Sequence, residues 1–193
     1  MPKLIDRISK DLNQTGYHRR STEARAWLQN KARQLGQVNR IGIVNDPVRT
    51  TGGAAIGKMF FFFYDPKLKL TLPYYDKFPL VLPIELYSDG FLGLNFHYLP
   101  INLRIVLLDK LYDLTNNDKF DNSTRIQASY QILSSASRYK EFKPCLKRYL
   151  APHIASRMVE IEAQEWETAI FLNVQNFAKA SAQQVWADSR EQI

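Results

Sequence analysis

Three histidines (His18, His97 and His153) and the paired acids Glu160/Glu162 and Glu165/Glu167 are the residues that could bind a metal or carry a proton. Metal ligation needs several such side chains in one coordination sphere, and close spacing is how a sequence shows it. The histidines are far apart and have no cysteine or acidic partner at that spacing. The glutamate pairs could chelate a divalent cation for phosphodiester hydrolysis, but they lie in a segment that reads as structural surface. Cys145 is the single cysteine and follows a proline in apolar surroundings. It reads as a packing residue and excludes an internal disulfide or a cysteine zinc site. A third candidate is the run GGAAIGK at 52–58, which has the spacing of a phosphate-binding loop. That chemistry needs a Ser or Thr next to hold magnesium and a helix whose N-terminus faces the phosphates. Met59 and the β-forming run MFFFFY stand there instead. These residues point away from an enzyme and imply no cofactor, no catalytic group and no metal site.

Charge is the stronger signal. The net charge is +7 over 193 residues. Residues 1–58 hold eleven Lys/Arg against four acids, and the remainder holds fifteen of each, so the whole excess sits in the first third. Such asymmetry suits a polyanion, either nucleic acid or an acidic protein surface. A second basic run spans Arg138–Arg157, where Tyr139, Phe142 and Tyr149 interleave the cations. Backbone phosphates with stacking nearby would fit it. So would a structural helix with snorkelling lysines. The candidate DNA-binding residues are Arg19, Arg20, Arg25, Lys31, Arg33, Arg40, Arg49, Lys143, Lys147 and Arg148.

The elements that must carry these side chains can be read in part. Leu4, Ile5, Ile8 and Leu12 make a helical stripe over Pro2–Asn13, ended by Thr15-Gly16. A second helix is capped at Ser21-Thr22-Glu23 and stops at Gly36. Arg40–Val44 reads as a short strand, and Val48–Ile56 as a mobile small-residue loop. Short strands are expected at Met59–Tyr64, Thr71–Tyr75, Phe78–Leu86 and Phe91–Leu99, bent by Pro73, Pro79 and Pro83 and turned at Ser88-Asp89-Gly90. Helices are expected at Asn102–Leu114, Ser123–Ser137 and Asn176–Arg190, with a polar loop at Thr115–Asn122. Met158–Glu162 reads as a strand, and Glu165–Leu172 as strand or helix. The fold class is α+β: a bent antiparallel sheet or small β-barrel flanked by N-terminal and C-terminal helices. Residues 1–50 form a basic helical arm and 51–193 the core domain. Neither an apolar leader nor an apolar run of membrane-spanning length is visible, so a soluble protein of a reducing compartment is expected.

The segments GKMFFFFYDPK, TLPYYDKFPLVLPIE, DGFLGLNFHYLP and FKPCLKRYLAPHI resemble the DNA-end protector family of T-even-like tailed phages, from about Gly57 to the C-terminus. The resemblance implies a virion protein seated on the packaged DNA terminus, near portal, neck or tail subunits. It would shield that double-stranded end from a host exonuclease by occupancy rather than catalysis. Its location would be the virion, then the host cytoplasm during assembly and after injection. No site residue is carried over by the resemblance. The basic arm fits this role independently, and no base-reading element is visible. The alternative is a neck, tail or baseplate adaptor whose basic helices dock on acidic virion subunits. No membrane partner is implied, and self-association stays open.

Overall fold

Ile5, Ile8 and Leu12 fall on one side of a helix. The computed structural model, which describes residues 4–115 and 140–193, buries all three on helix α1 (Leu4–Gln14). Helix α2 (Thr22–Leu35) starts where the Ser21 hydroxyl accepts the Ala24 N–H at 3.1 Å. This cap satisfies a donor that the first helical turn leaves open. Both helices bury their apolar side chains in the same cluster as the sheet, so the basic N-terminal segment packs on the body. Arg40–Val44 is helix α3 rather than a strand. The Asn39 side chain accepts the Gly42 N–H at 3.1 Å, and this cap with the burial of Ile43 and Val44 overrides the β-propensity of the run.

Among the described residues eight short strands follow: β1 (Thr50–Thr51), β2 (Met59–Phe61), β3 (Tyr75–Asp76), β4 (Leu80–Tyr87), β5 (Gly90–Asn95), β6 (Leu146–Leu150), β7 (Met158–Ile161) and β8 (Phe177–Ala178). All pairings are antiparallel. Six strands form one sheet in the order β1-β7-β2-β4-β5-β6, and β3 pairs with β8 in a separate ribbon. The fold is therefore α+β as expected. Strands β1 and β6 are edges, however, so the sheet is open and the barrel alternative is set aside.

The unbroken apolar run at the centre has a simple cause. Met59 and Phe61 face the helices, while Phe60 and Phe62 face a second cluster with Tyr64, Val81, Phe91, Tyr149 and Met158. A strand buried on both faces loses the polar half of its alternation. Pro83 marks the expected bend, since the β4–β5 register shifts between Pro83 and Glu85. Opposite it lies Gly93, where an added Cβ would stand 2.4 Å from Val81 Cγ1.

Strand β5 ends earlier than the sequence suggests. The Asn95 side chain accepts the His97 N–H at 3.0 Å and turns Phe96–Tyr98 into a 3-10 helix. Helix α4 (Ile101–Thr115) then carries the fully buried Arg104, which donates to the carbonyls of Leu99 (2.7 Å) and Ile170 (3.0 Å). Burial lowers the Arg104 guanidinium to about 10, so it stays charged at neutral pH. Residues 140–157 form a 3-10 turn, β6 and another 3-10 turn rather than a long helix. The undecided segment is helix α5 (Trp166–Phe171), with the Trp166 indole donating to the Ile161 carbonyl at 3.0 Å. The last helix, α6 (Ala182–Glu191), begins after β8, because Phe177 and Ala178 pair with Asp76 and Tyr75. The helix expected at Ser123–Ser137 lies outside the described residues, as does most of the Thr115–Asn122 loop.

A polar cluster is closed inside this frame. Asp76 Oδ2 meets His97 Nδ1 at 2.8 Å and the Asn95 amide at 3.2 Å, and Asp76 Oδ1 accepts the N–H groups of Phe78 and Asn176. Burial opposes ionisation of Asp76, but His97 and the two backbone donors outweigh it and hold the carboxyl below its ordinary value. Burial also lowers His97, against the attraction of Asp76, so the pair is a carboxylate accepting from a neutral imidazole.

Replacing Gly93 by Ala is expected to lower stability by about 1–3 kcal/mol through overpacking. In a Val81→Ala background much of that loss should disappear, since the obstructing methyl is gone. Denaturant titration of the four-member cycle checks this, and strictly additive effects would refute the contact. A second prediction concerns pH. Unfolded His97 takes up a proton near pH 6.5 that the folded site refuses, so its contribution is complete above that pH and fades below it. The depressed Asp76 value acts in the same direction at lower pH, being lost as pH falls through the folded value. Between pH 7 and 5 stability should fall with pH, the His97 slope being bounded by the one-proton limit of about 1.4 kcal/mol per unit. His97→Asn, which keeps an N–H donor near Asp76, should flatten that arm, and an unchanged slope would reject the assignment.

Candidate nucleic-acid interface

Glu165 and Glu167, considered above as surface metal ligands, are buried at the start of α5. Arginines from the N-terminal segment meet both. Arg49 grips Glu165 with both terminal nitrogens, one of them 3.1 Å from Oε1, and also reaches Asp6 and Asp46. The hydrogen bond that Arg49 donates to Glu165 holds its guanidinium above the ordinary value, against burial. Arg25 donates to Glu167 at 2.8 Å and in bidentate fashion to Asp109 at 3.0 and 2.5 Å. Burial opposes its charge, but Asp109 and Glu167 outweigh that and raise its value. Glu160 in turn pairs with Lys58 at 2.8 Å. Among the described residues no three His, Cys, Asp or Glu side chains converge as a metal site.

Other candidate cations also serve the fold. Lys31 binds Asp11 at 2.9 Å, joining α2 to α1. Arg40 donates to the carbonyls of Val174 (2.7 Å) and Gln175 (3.0 Å). Arg19 donates to the Gln164 carbonyl and to Asn13 at 3.2 Å. Arg20, at φ 66, lays its guanidinium 3.5 Å from the centre of the Tyr112 ring, and its backbone N–H donates to Glu167. Arg148 pairs with Asp89, donates to the carbonyls of Phe91 and Tyr149, and stacks 4.2 Å over Tyr87. The N-terminal segment is therefore stapled to the body by its own charges.

What remains for an external anion is a different set. The side chains of Arg33 and Lys143 are exposed and make no hydrogen bond or ion pair among the described residues. The same holds for Arg7, Lys10 and Arg157, which were not among the candidates. Arg7 and Lys10 are three apart on the polar side of α1, opposite Ile5 and Ile8, and that spacing was a readable sign of a shared face. Lys147 stands apart from these. It is half-buried on the edge strand β6, its ammonium 4.1 Å from the centre of the Tyr98 ring, with no hydrogen bond or ion pair among the described residues. Burial pushes its ammonium below the ordinary lysine value. Exposed cations on separate elements can neutralise phosphates without reading bases.

No curated protein and no solved structure matches the chain. A family model described as phage T4 terminal DNA protecting protein matches residues 11–189, which takes in the last turn of α1, helices α2 to α5, most of α6 and the whole sheet. With nearly the full length of the chain inside that match, the protein belongs to the phage T4 terminal DNA protecting protein family.

Proposed function

We propose that this chain binds the end of linear double-stranded phage DNA without preference for sequence, and that it shields that end from exonuclease by occupying it. The observation that carries the reading is the match to the terminal DNA protecting family over residues 11–189. Support comes from the cations whose side chains have no partner among the described residues. Arg7, Lys10, Arg33, Lys143 and Arg157 are solvent-exposed donors able to contact phosphates, and phosphate contacts confer affinity without sequence information. Protection by occupancy needs no reacting group; it needs a residence time longer than the interval between nuclease encounters. The working place of such a protein is the virion, beside the portal, neck or tail subunits at the DNA exit, and then the host cytoplasm. Among the described residues no helix is long and apolar enough to cross a membrane.

The test is protection of linear duplexes of unrelated sequence from a double-strand exonuclease, alongside retardation of the same duplexes and of a closed circle. Comparable protection of every linear sequence is expected, with affinity falling steeply as salt rises. The circle should bind distinctly more weakly. Combined Arg7→Glu, Lys10→Glu and Arg33→Glu substitutions should weaken retardation while leaving the melting temperature near that of the parent. Arg25→Glu, in contrast, should lower the melting temperature, because it faces Glu167 and Asp109 with a third carboxylate. No protection at low salt, or equal binding of circle and linear duplex, would overturn the reading.

A further inference from the structure

A cavity of about 350 Å³ lies between the β3–β8 ribbon and the edge strand β6. Its walls include Tyr64, Tyr74, Tyr98 and Tyr149, with Asp76, Lys147 and Arg148 as charged members, of which Arg148 is already paired with Asp89. The rings already form a packed aromatic surface: Tyr64 and Tyr149 are 4.8 Å apart edge to face, and Tyr74 and Tyr98 are 6.1 Å apart. The size is within the range of about 300–1,000 Å³ typical of small-molecule sites. It is too small for a duplex.

Two features give the cavity a sign. Asp76 is saturated, with four protein donors on its two oxygens, and so has no need of Lys147. Lys147 is withdrawn from water, yet among the described residues only the face of Tyr98 attends its charge. A cation held away from water without a counter-ion is unfavourable, and an arriving anion removes that penalty. Aromatic faces beside it suit a planar base, since base–aromatic stacking is worth about 1–3 kcal/mol per base and tolerates any sequence. The sequence does not explain such a combination as packing alone, because an apolar side chain at 147 would fill the same space at lower cost.

The geometry points to this cavity as the seat of the terminal nucleotide of a DNA strand, its phosphate on Lys147 and its base against the tyrosines. This assignment rests on the DNA-end reading above and deepens it: a terminal nucleotide can leave the stack and enter a cavity that interior nucleotides cannot reach.

The experiment uses the full chain, a 5′-phosphorylated linear duplex, and Lys147→Met, which keeps the length of the side chain and removes its charge. Wild type should bind the duplex end, and Lys147→Met should bind it at least about tenfold more weakly, as expected for loss of a charge-assisted contact. Its melting temperature should equal or exceed that of the parent, since an unpaired cation has been removed. A 5′-phosphorylated thymidine trinucleotide should compete with the duplex for wild-type protein, whereas inorganic phosphate at the same concentration should not. If wild type binds ends and Lys147→Met binds them equally well, the cavity assignment is overturned while end binding stands. Failure of the trinucleotide to compete overturns it as well, and does so even if the variant does not fold. If wild type binds no ends at all, the DNA-end reading itself falls, and this assignment with it.

Discussion

Two buried carboxylates govern how this molecule is put together. Glu165 and Glu167 lie at the opening of α5, inside the region where α1, α2 and the sheet meet. A carboxylate in that setting is tolerated only if a cation is brought to it with good hydrogen-bond geometry. Arg49 and Arg25 supply this from the N-terminal third, across more than a hundred residues of chain. Breaking either contact would leave a buried carboxylate without its counter-ion. The N-terminal helices are thus held by ion pairs as well as by Ile5, Ile8, Ala24 and Leu28 in the common core. They are part of the body, not an appendage that swings out to grip.

This arrangement moves the charge without changing it. The excess of seven sits in the first 58 residues by sequence. Once Arg25, Arg49 and Lys58 take carboxylates from the C-terminal half, the cations of that half lose the acids that balanced them on paper. Lys143, Lys147 and Arg157 make no side-chain hydrogen bond or ion pair among the described residues. Pairing within the chain therefore spreads the unpaired cations over both regions, with Arg7, Lys10 and Arg33 in the segment that carries the excess in sequence and these three in the part that reads as neutral. Composition reports the sum of charges; only the fold decides where the unpaired remainder appears.

That distinction also describes how much could be read from the residues. Helices α1 and α2 were legible because their signals are local: Ser21 caps, Gly36 stops, and the apolar stripe repeats at helical spacing. The sheet was legible from MFFFFY and from the proline and glycine punctuation between strands. Arg40–Val44 reads as a strand by its three β-branched residues, Ile41, Ile43 and Val44, but they carry less weight than one Asn39 cap and the burial of Ile43. Phe177 pairs in a ribbon with a strand a hundred residues away, a contact that no window of sequence contains. The nucleic-acid candidates mixed two populations for the same reason. Arg25, Arg49 and Arg148 have the residue type of a phosphate contact but the environment of a structural tie, and type is all that a sequence displays. Lys147 was named as one cation in a basic run, while the cavity that sets it apart is built from Tyr64, Tyr74 and Tyr98, which are remote from it in sequence.

Recognition of an end poses a stricter physical demand than recognition of DNA. Phosphates are identical along a duplex, so exposed cations such as Arg7, Lys10 and Arg33 cannot distinguish a terminus from the interior; on the proposed reading they would draw the protein to the polymer and let it move along it. Discrimination must come from something that only an end possesses. A terminus offers a base pair with one uncovered face, a strand that can fray at modest cost, and a terminal phosphate approachable from directions closed to interior ones. A narrow aromatic cavity with one desolvated cation is selective for those properties by shape, because an interior nucleotide would have to be extruded with chain on both sides. The same desolvation that makes Lys147 a liability in the free protein strengthens its interaction with a phosphate that excludes water from the site. On the proposed reading, long-range attraction and end discrimination would fall to different cations, exposed ones for the first and a half-buried one for the second. A surface made of exposed cations alone would bind DNA everywhere and protect its ends only by chance.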